Sequence, residues 1–320
     1  MKTNYVCWTK AILFGCSMFM LPACDRSAEP MGKGEAEFQI TDAPSDDASI
    51  KGVFVTVTDI KVDGKSISGF TKQTIDLKAY QEGSTKVLGT AQLDAKAYSN
   101  ITLVLDADAD ATGTSPGCYV LTTDNAKFKL KSSGTINVVV NKGWSVVANA
   151  KSAMVLDFDL RKSIRQVDDA AIRYNFVSDD NLQSSVRLVS QDNVGTISGS
   201  YTEQTSSNAD KVFVYAYKKG TFSAATETQA QGSDAIFFKN AVTSTEVKVG
   251  LAGNTYKISF LEAGDYELHF AGYTKDAATN RFVLQTMLKS QTTAGGSIGD
   301  YVSIQKGITL SISSTITGTI

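Results

Sequence analysis

Alternation of apolar and polar residues governs most of this chain and leaves few folds open to it. Phe38 and Ile40, then Val53, Val55 and Val57, then Ile101, Leu103 and Leu105, then Ile136, Val138 and Val140 recur at a spacing of two. Successive side chains of an extended strand point to opposite faces, so each run predicts a strand with one buried face. Lys211 to Tyr217 and Ile308 to Ile316 continue the pattern. The four prolines fall at positions 22, 30, 44 and 116. Their absence beyond 116 suits paired strands, which proline would interrupt. One stretch reads differently: Val87, Leu88, Ala91 and Ala95 are spaced for a helical stripe over Ser84–Ala97, with Gly89 inside it. The pattern restarts near Gln191-Asp192-Asn193. The expected fold class is all-β, two antiparallel β-sandwich domains over 36–192 and 193–320.

The N-terminus follows another logic. Lys2 and Lys10 precede an apolar run from Ala11 to Met20, and Leu21-Pro22-Ala23-Cys24 ends it. A run of about ten residues is too short to span a bilayer, which takes about 20. Basic start, short apolar core and small residues before a cysteine resemble the signal of a bacterial lipoprotein. The resemblance implies removal of residues 1–23 and a diacylglycerol thioether on Cys24. Two acyl chains suffice for stable anchoring. Residues 24–35 then read as the lipidated cysteine and a flexible tether, since Asp25–Glu35 is small, charged or Gly/Pro. An aspartate after the lipidated cysteine is similar to an inner-membrane retention signal of enterobacteria. Other lineages follow other rules, and the expected location is the outer membrane of a bacterial envelope.

Once Lys2 and Lys10 are removed with the signal, 29 basic residues face 33 acidic ones, a net charge of −4. No basic stripe exists, which argues against a nucleic-acid partner. Cys7 and Cys16 leave with the signal, and Cys118 is the sole remaining thiol besides Cys24. It has no internal disulfide partner and reads as a small apolar strand residue.

Residues 36–190 resemble a family of bacterial envelope domains known as domain of unknown function 4382. The matching pieces, in order, are Thr41-Asp42-Ala43-Pro44, the strand Val53 to Val62, Asp76-Leu77, Ala97-Tyr98 through Leu103, and Met154-Val155-Leu156-Asp157-Phe158-Asp159 followed by Ser163-Ile164. Ala97 stands where the family usually has glycine. The resemblance implies a β-rich, lipid-attached domain and no activity; Asp42, Pro44, Asp157, Asp159 and Ser163 are its structural motif. Residues 194–275 resemble the prealbumin-like, carboxypeptidase regulatory-like sandwich of bacterial surface proteins. That likeness rests on Gly195 to Gly199, Val212 to Tyr215, and Tyr256 to Tyr266 with the turn Ala263-Gly264-Asp265. It implies a spacer module, some relatives of which bind carbohydrate.

Asp106, Asp108 and Asp110 alternate with alanines. On an extended chain the three carboxylates share one side, roughly 7 Å apart. Such a cluster suits a hard oxygen-seeking cation, so Ca²⁺ is the candidate cofactor; water and salt screening the charges is the plain alternative. Ala111 and Gly117 stand where a helix–loop–helix calcium loop needs glycine and glutamate, which rejects that motif. Asp157 and Asp159 have the spacing of an acid–base pair or of a shared metal site, but a structural role, hydrogen bonding loop amides or the turn at Ser163, is favoured. His269 is the only histidine and lies opposite the apolar face of Tyr266, Leu268 and Phe270. It supports neither a triad nor a zinc site. Trp144 either stacks on a sugar or plugs the end of a sandwich, the plug being favoured.

No catalytic residue is assigned. The expectation is a non-enzymatic binding or adhesion module held to a membrane through lipid on Cys24, with a glycan or an envelope protein as partner. The alternative is a structural subunit of an envelope assembly, recognised by a strand edge.

Overall fold

In the computed structural model the described residues are 1–2, 32–44, 47, 49–131, 133–167, 169, 171–278, 282–295 and 297–320. The lipoprotein signal, Cys24 and the tether up to Met31 lie outside them, apart from residues 1–2. The chain from Gly32 to Ile320 forms one compact unit. It is all-β, as the alternation predicts.

Two large sheets build the N-terminal half, beside a two-stranded ribbon of Ile164–Gln166 and Tyr174–Phe176. One runs, in spatial order, Val186–Ser190, Lys151–Asp159, Lys33–Ala43 and Lys86–Asp94. The other has seven strands and is centred on Ile50–Val62 and Ala97–Asp106, with Thr135–Ser145 at one edge. Their facing sides interdigitate in a single core: Phe38, Ile40, Leu156 and Phe158 from the first meet Val53, Val55, Ile101 and Leu103 from the second. Each of these side chains is fully buried, which contributes roughly 1.5–3 kcal/mol apiece.

The C-terminal half is a nine-stranded sheet whose main path is Thr243–Glu246, Lys211–Lys218, Gly264–Lys275, Phe282–Ala294, Thr309–Thr319, Val194–Glu203 and Asn254–Glu262. Its inner face carries Ile197, Val214, Phe270 and Ile316. Lys211–Lys218 is buried on both faces, because Phe213, Tyr215 and Tyr217 on its outer side pack with Phe238 and Tyr273. Gly264 takes φ +143°, the conformation for which the Ala263-Gly264-Asp265 turn needs glycine.

Two local expectations are corrected. Ser84–Ala97 is not a helix: Lys86–Asp94 is a strand paired with Lys33–Ala43. Phe38 pairs with Gly89 and Gln39 with Val87, so Leu88 is an extra, bulged residue. The bulge puts Leu88 and Ala91, three apart, on the buried side and leaves Val87 46% exposed. A bulged strand thus imitates a helical interval. Second, the sheets are not wholly antiparallel, since Lys33–Ala43 pairs in parallel with Lys151–Asp159, and Val194–Glu203 with Thr309–Thr319. Trp144 lies at the penultimate position of the strand Thr135–Ser145.

The two halves meet in a continuous seam. Val155 and Val189 from the first pack with Val194 and Phe260 from the second. Ile236, from the long connection after Lys211–Lys218, joins the core of the first half. Among the described residues no helix is long and apolar enough to cross a membrane.

Candidate functional site

The parallel pairing of Lys33–Ala43 with Lys151–Asp159 gathers the carboxylates singled out in the sequence. Thr41 stands beside Asp157, Asp42 beside Phe158 and Ala43 beside Asp159. All three aspartates are buried. A buried carboxylate is costly unless hydrogen-bonded or paired, and each has found partners.

Asp157 faces Arg187 directly across the neighbouring strand. Arg187 Nε donates to Asp157 Oδ2 at 2.7 Å, and its Nη1 donates onward to the carbonyl of Phe260 at 2.8 Å. The strand then breaks into a single helical turn, Leu160–Ser163. That turn swings Arg161 and Lys162 back over Asp159, at 2.9 and 3.4 Å from its Oδ2. Arg161 Nη1 also donates to the carbonyls of Phe237 and Phe238, and Lys162 Nζ to that of Ala241. The Arg161 guanidinium lies 5.4 Å from the Tyr215 ring centre. Ser163 Oγ donates to the carbonyl of Asp159 at 2.5 Å and lies 2.9 Å from Ser185 Oγ, closing the turn.

Among the described residues no cation pairs with Asp42. Gln81 donates to it at 2.8 Å, and the Leu160 amide at 3.4 Å. Burial, with Asp157 and Asp159 nearby, pushes its carboxyl well above the ordinary range. Burial also raises Asp157 despite Arg187, and lowers Lys162 to about 8 despite Asp159.

A second group reinforces the seam. Asp234 Oδ2, from the C-terminal half, accepts the Ser178 amide at 3.0 Å, the Ser178 hydroxyl at 2.6 Å and the Asn181 side-chain amide at 2.6 Å. Arg165 lies 3.6 Å from its other oxygen.

The cluster is therefore a clamp. Its acids hold its bases, and its bases hold backbone carbonyls of the opposite half. Beside Asp42, Pro44 and Asp157 lies a cavity of about 20 Å³, also lined by Ser244, Ser259 and Phe260. A water needs about 10–15 Å³, so the space admits one water and no sugar ring. Ser244 Oγ and Ser259 Oγ are buried without a protein partner and suit such a water.

Asp106, Asp108 and Asp110 do not share a strand face, because the strand ends at Asp106. Asp106 pairs with Lys72 at 2.8 Å and accepts the amides of Asp108 and Ala109. Asp108 accepts the Gly134 amide, and Asp110 those of Thr112 and Thr114. Among the described residues no three His, Cys, Asp or Glu side chains are grouped to hold a metal. Cys118 is fully buried, and its thiol is pushed up to about 12 by burial. His269 lies 3.4 Å from Glu267 and stacks on Phe222 at 3.6 Å, away from any triad arrangement. Trp144 is 8% exposed, stacked on Tyr98 at 5.0 Å and edge-on to Phe38 at 6.0 Å.

Arg161, Lys162, Arg187 and Asp234 were not singled out in the sequence. The visible signal was the string Asp157 to Ser163, which sets two bases inside the acidic motif. Arg187 and Asp234 become partners only through strand register and the long connection.

Residues 33–177 match the family model described as "Domain of unknown function (DUF4382)", which covers most of the N-terminal half. No curated protein matches the chain. Solved structures that it is similar to include a leucine-rich repeat protein from Bacteroides thetaiotaomicron (12% identity, TM-score 0.22, covering 88% of this chain and 26% of that one). Another is the TIE protein of Bacillus anthracis (11%, TM-score 0.18, 89% and 34%). A third is GBS52, the minor pilin of Streptococcus agalactiae (12%, TM-score 0.21, 88% and 95%). The chain thus spans about a quarter and a third of the first two.

Proposed function

We propose that this is a lipid-anchored bacterial envelope protein that acts as a non-enzymatic binding or adhesion module. Lipid on Cys24 holds it to the outer membrane. A DUF4382-type sandwich and a prealbumin-like sandwich, divided near residue 193, are clamped together as one body beyond the tether. The observation that carries the non-enzymatic reading is the clamp. Asp157 and Asp159, the pair with acid–base spacing, are bound to Arg187, Arg161 and Lys162. The cavity beside Asp157 has room for one water. Glycoside hydrolysis needs carboxyls that meet both the substrate and a water, and this cavity has no room for a sugar beside the water.

The anchor is tested by growing the source bacterium with an alkyne-tagged fatty acid. The wild-type chain should carry the tag and fractionate with membranes. Cys24→Ser should lose the tag and become soluble. An untagged wild-type chain overturns the anchor. Asp157→Asn tests the chemistry: no hydrolysis of a broad glycoside panel is expected from wild type, and an activity lost in the variant would overturn the non-enzymatic reading.

A further inference from the structure

The connection between Lys211–Lys218 and Thr243–Glu246 runs back over the outside of the C-terminal sheet. Among the described residues its stretch 221–241 joins none of the sheet's ladders. Its own order is one helical turn, Ala224–Glu227, and a bridge between Gln231 and Ile236. Side chains seat it on the sheet. Phe238 stacks on Tyr215 with ring centres 4.0 Å apart, and Phe222 meets Tyr217 edge-on at 5.0 Å. Glu227, 1% exposed, ties the stretch together. Its carboxylate accepts the Tyr217 hydroxyl at 2.7 Å, and the backbone and side-chain amides of Asn240 at 3.0 and 2.6 Å.

The N-terminal half anchors the same stretch from the other side. Arg161 and Lys162 bond to the carbonyls of Phe238 and Ala241, and Ser178 and Asn181 bond to the Asp234 carboxylate. The backbone between these anchors is strained. Ala235 and Phe238 take φ +53° and +49°, a left-handed conformation that residues with a Cβ rarely adopt. Such a residue persists only where its surroundings over-determine it, and outliers of this kind cluster at clamps and switch regions. Gly220, at φ +78°, turns the chain at the start of the stretch. The strand beneath does not need the cover. Lys211–Lys218 is paired on both sides, with Thr243–Glu246 and Gly264–Lys275, and its inner side chains Val212, Val214 and Ala216 belong to a separate core.

We propose that 221–241 is a strap that opens as one unit, between Gly220 and Val242, while the sheet beneath stays folded, and that opening uncovers the aromatic face of Phe213, Tyr215 and Tyr217. Opening breaks the ring contacts and the anchors on the N-terminal half and relaxes Ala235 and Phe238. It leaves the ladder bonds of the sheet in place. Amides in a segment of that kind exchange through a local opening, below the free energy of global unfolding. This motion is independent of the binding-module reading.

The test is hydrogen exchange of the full chain in detergent, read by mass spectrometry. Peptides spanning 231–241 carry the amides of Gln231, Ile236, Phe238 and Ala241, which are hydrogen-bonded within the strap and report its opening. They should exchange together, about a hundredfold or more faster than the amides of Lys211–Lys218. Val214→Ala hollows the core on the inner side of the sheet. It should accelerate exchange in the strand and leave the strap's rate unchanged. Ala235 is exposed, so Ala235→Gly removes left-handed strain without removing a packed side chain, and should slow the strap about fivefold. Strap amides that exchange at the rate of the strand, a Val214→Ala variant that accelerates both alike, or an Ala235→Gly variant whose strap is not slowed overturns the proposal.

Discussion

The two ends of the seam gather polar side chains to opposite effect. At the Arg161 end, buried Asp157 and Asp159 are bound to Arg187, Arg161 and Lys162, with Asp42 held beside them by Gln81 and the Leu160 amide, and the bases are also bound to the carbonyls of Phe237, Phe238, Ala241 and Phe260. At the Trp144 end, fewer polar groups line a cavity of about 270 Å³. Carboxylates that look poised for chemistry in the sequence are engaged in holding the fold, whereas the ion pair at the other end, Lys142–Glu262, is half-exposed. Density of charge here marks the seam that holds the fold.

The largest expected contrast between the two ends is in stability. Arg161→Leu leaves Asp159 buried with only Lys162 to offset it, which should cost about 3–5 kcal/mol. Asn193→Ala, at the open end, should stay within about 0.5 kcal/mol of wild type. Urea unfolding of both variants measures the difference; equal losses would break the contrast. Asp234→Ala comes next. It strands the donors of Ser178 and Asn181, and about 2–3 kcal/mol is expected from the same unfolding curves.

The pH dependence of the closed end sharpens the comparison. Asp42 has a raised pKa in the folded state, so the folded protein holds this proton to higher pH than the unfolded chain does. Its contribution is complete below the ordinary carboxylate range and is lost as pH rises through the raised value. Asp42→Asn should flatten that fall relative to wild type in melting curves taken across the acidic range. An unchanged slope would show that Asp42 stays ionised. The smallest effect concerns Asp106, Asp108 and Asp110. Their oxygens already serve Lys72 and loop amides, so neither added Ca²⁺ nor a chelator should shift the melting temperature. A stabilisation by Ca²⁺ that Asp108→Asn removes would restore the cation site.

Much of the architecture was legible in the alternation. Val53, Val55, Val57, Ile101, Leu103 and Leu105 are all fully buried, as their spacing required. The pattern failed where a second influence acted on the strand. The bulge at Leu88 turned a strand into an apparent helix. The connection that carries Phe238 covers the outer face of Lys211–Lys218, so both faces there are apolar. The grouping of Asp42 with Asp157 and Asp159 needed the parallel register, which no local signal carries. Trp144 was read as a plug, and its packing on Tyr98 and Phe38 agrees. The space beside it depends on Glu262, contributed from the far side of the seam.

The central claim is that the buried charges lock the two halves into one cooperative body. Scanning calorimetry of the intact chain tests it most directly. A single transition is expected, with calorimetric and van't Hoff enthalpies equal, and Arg161→Leu should divide it into two. Two separate transitions in the wild-type protein would contradict the account.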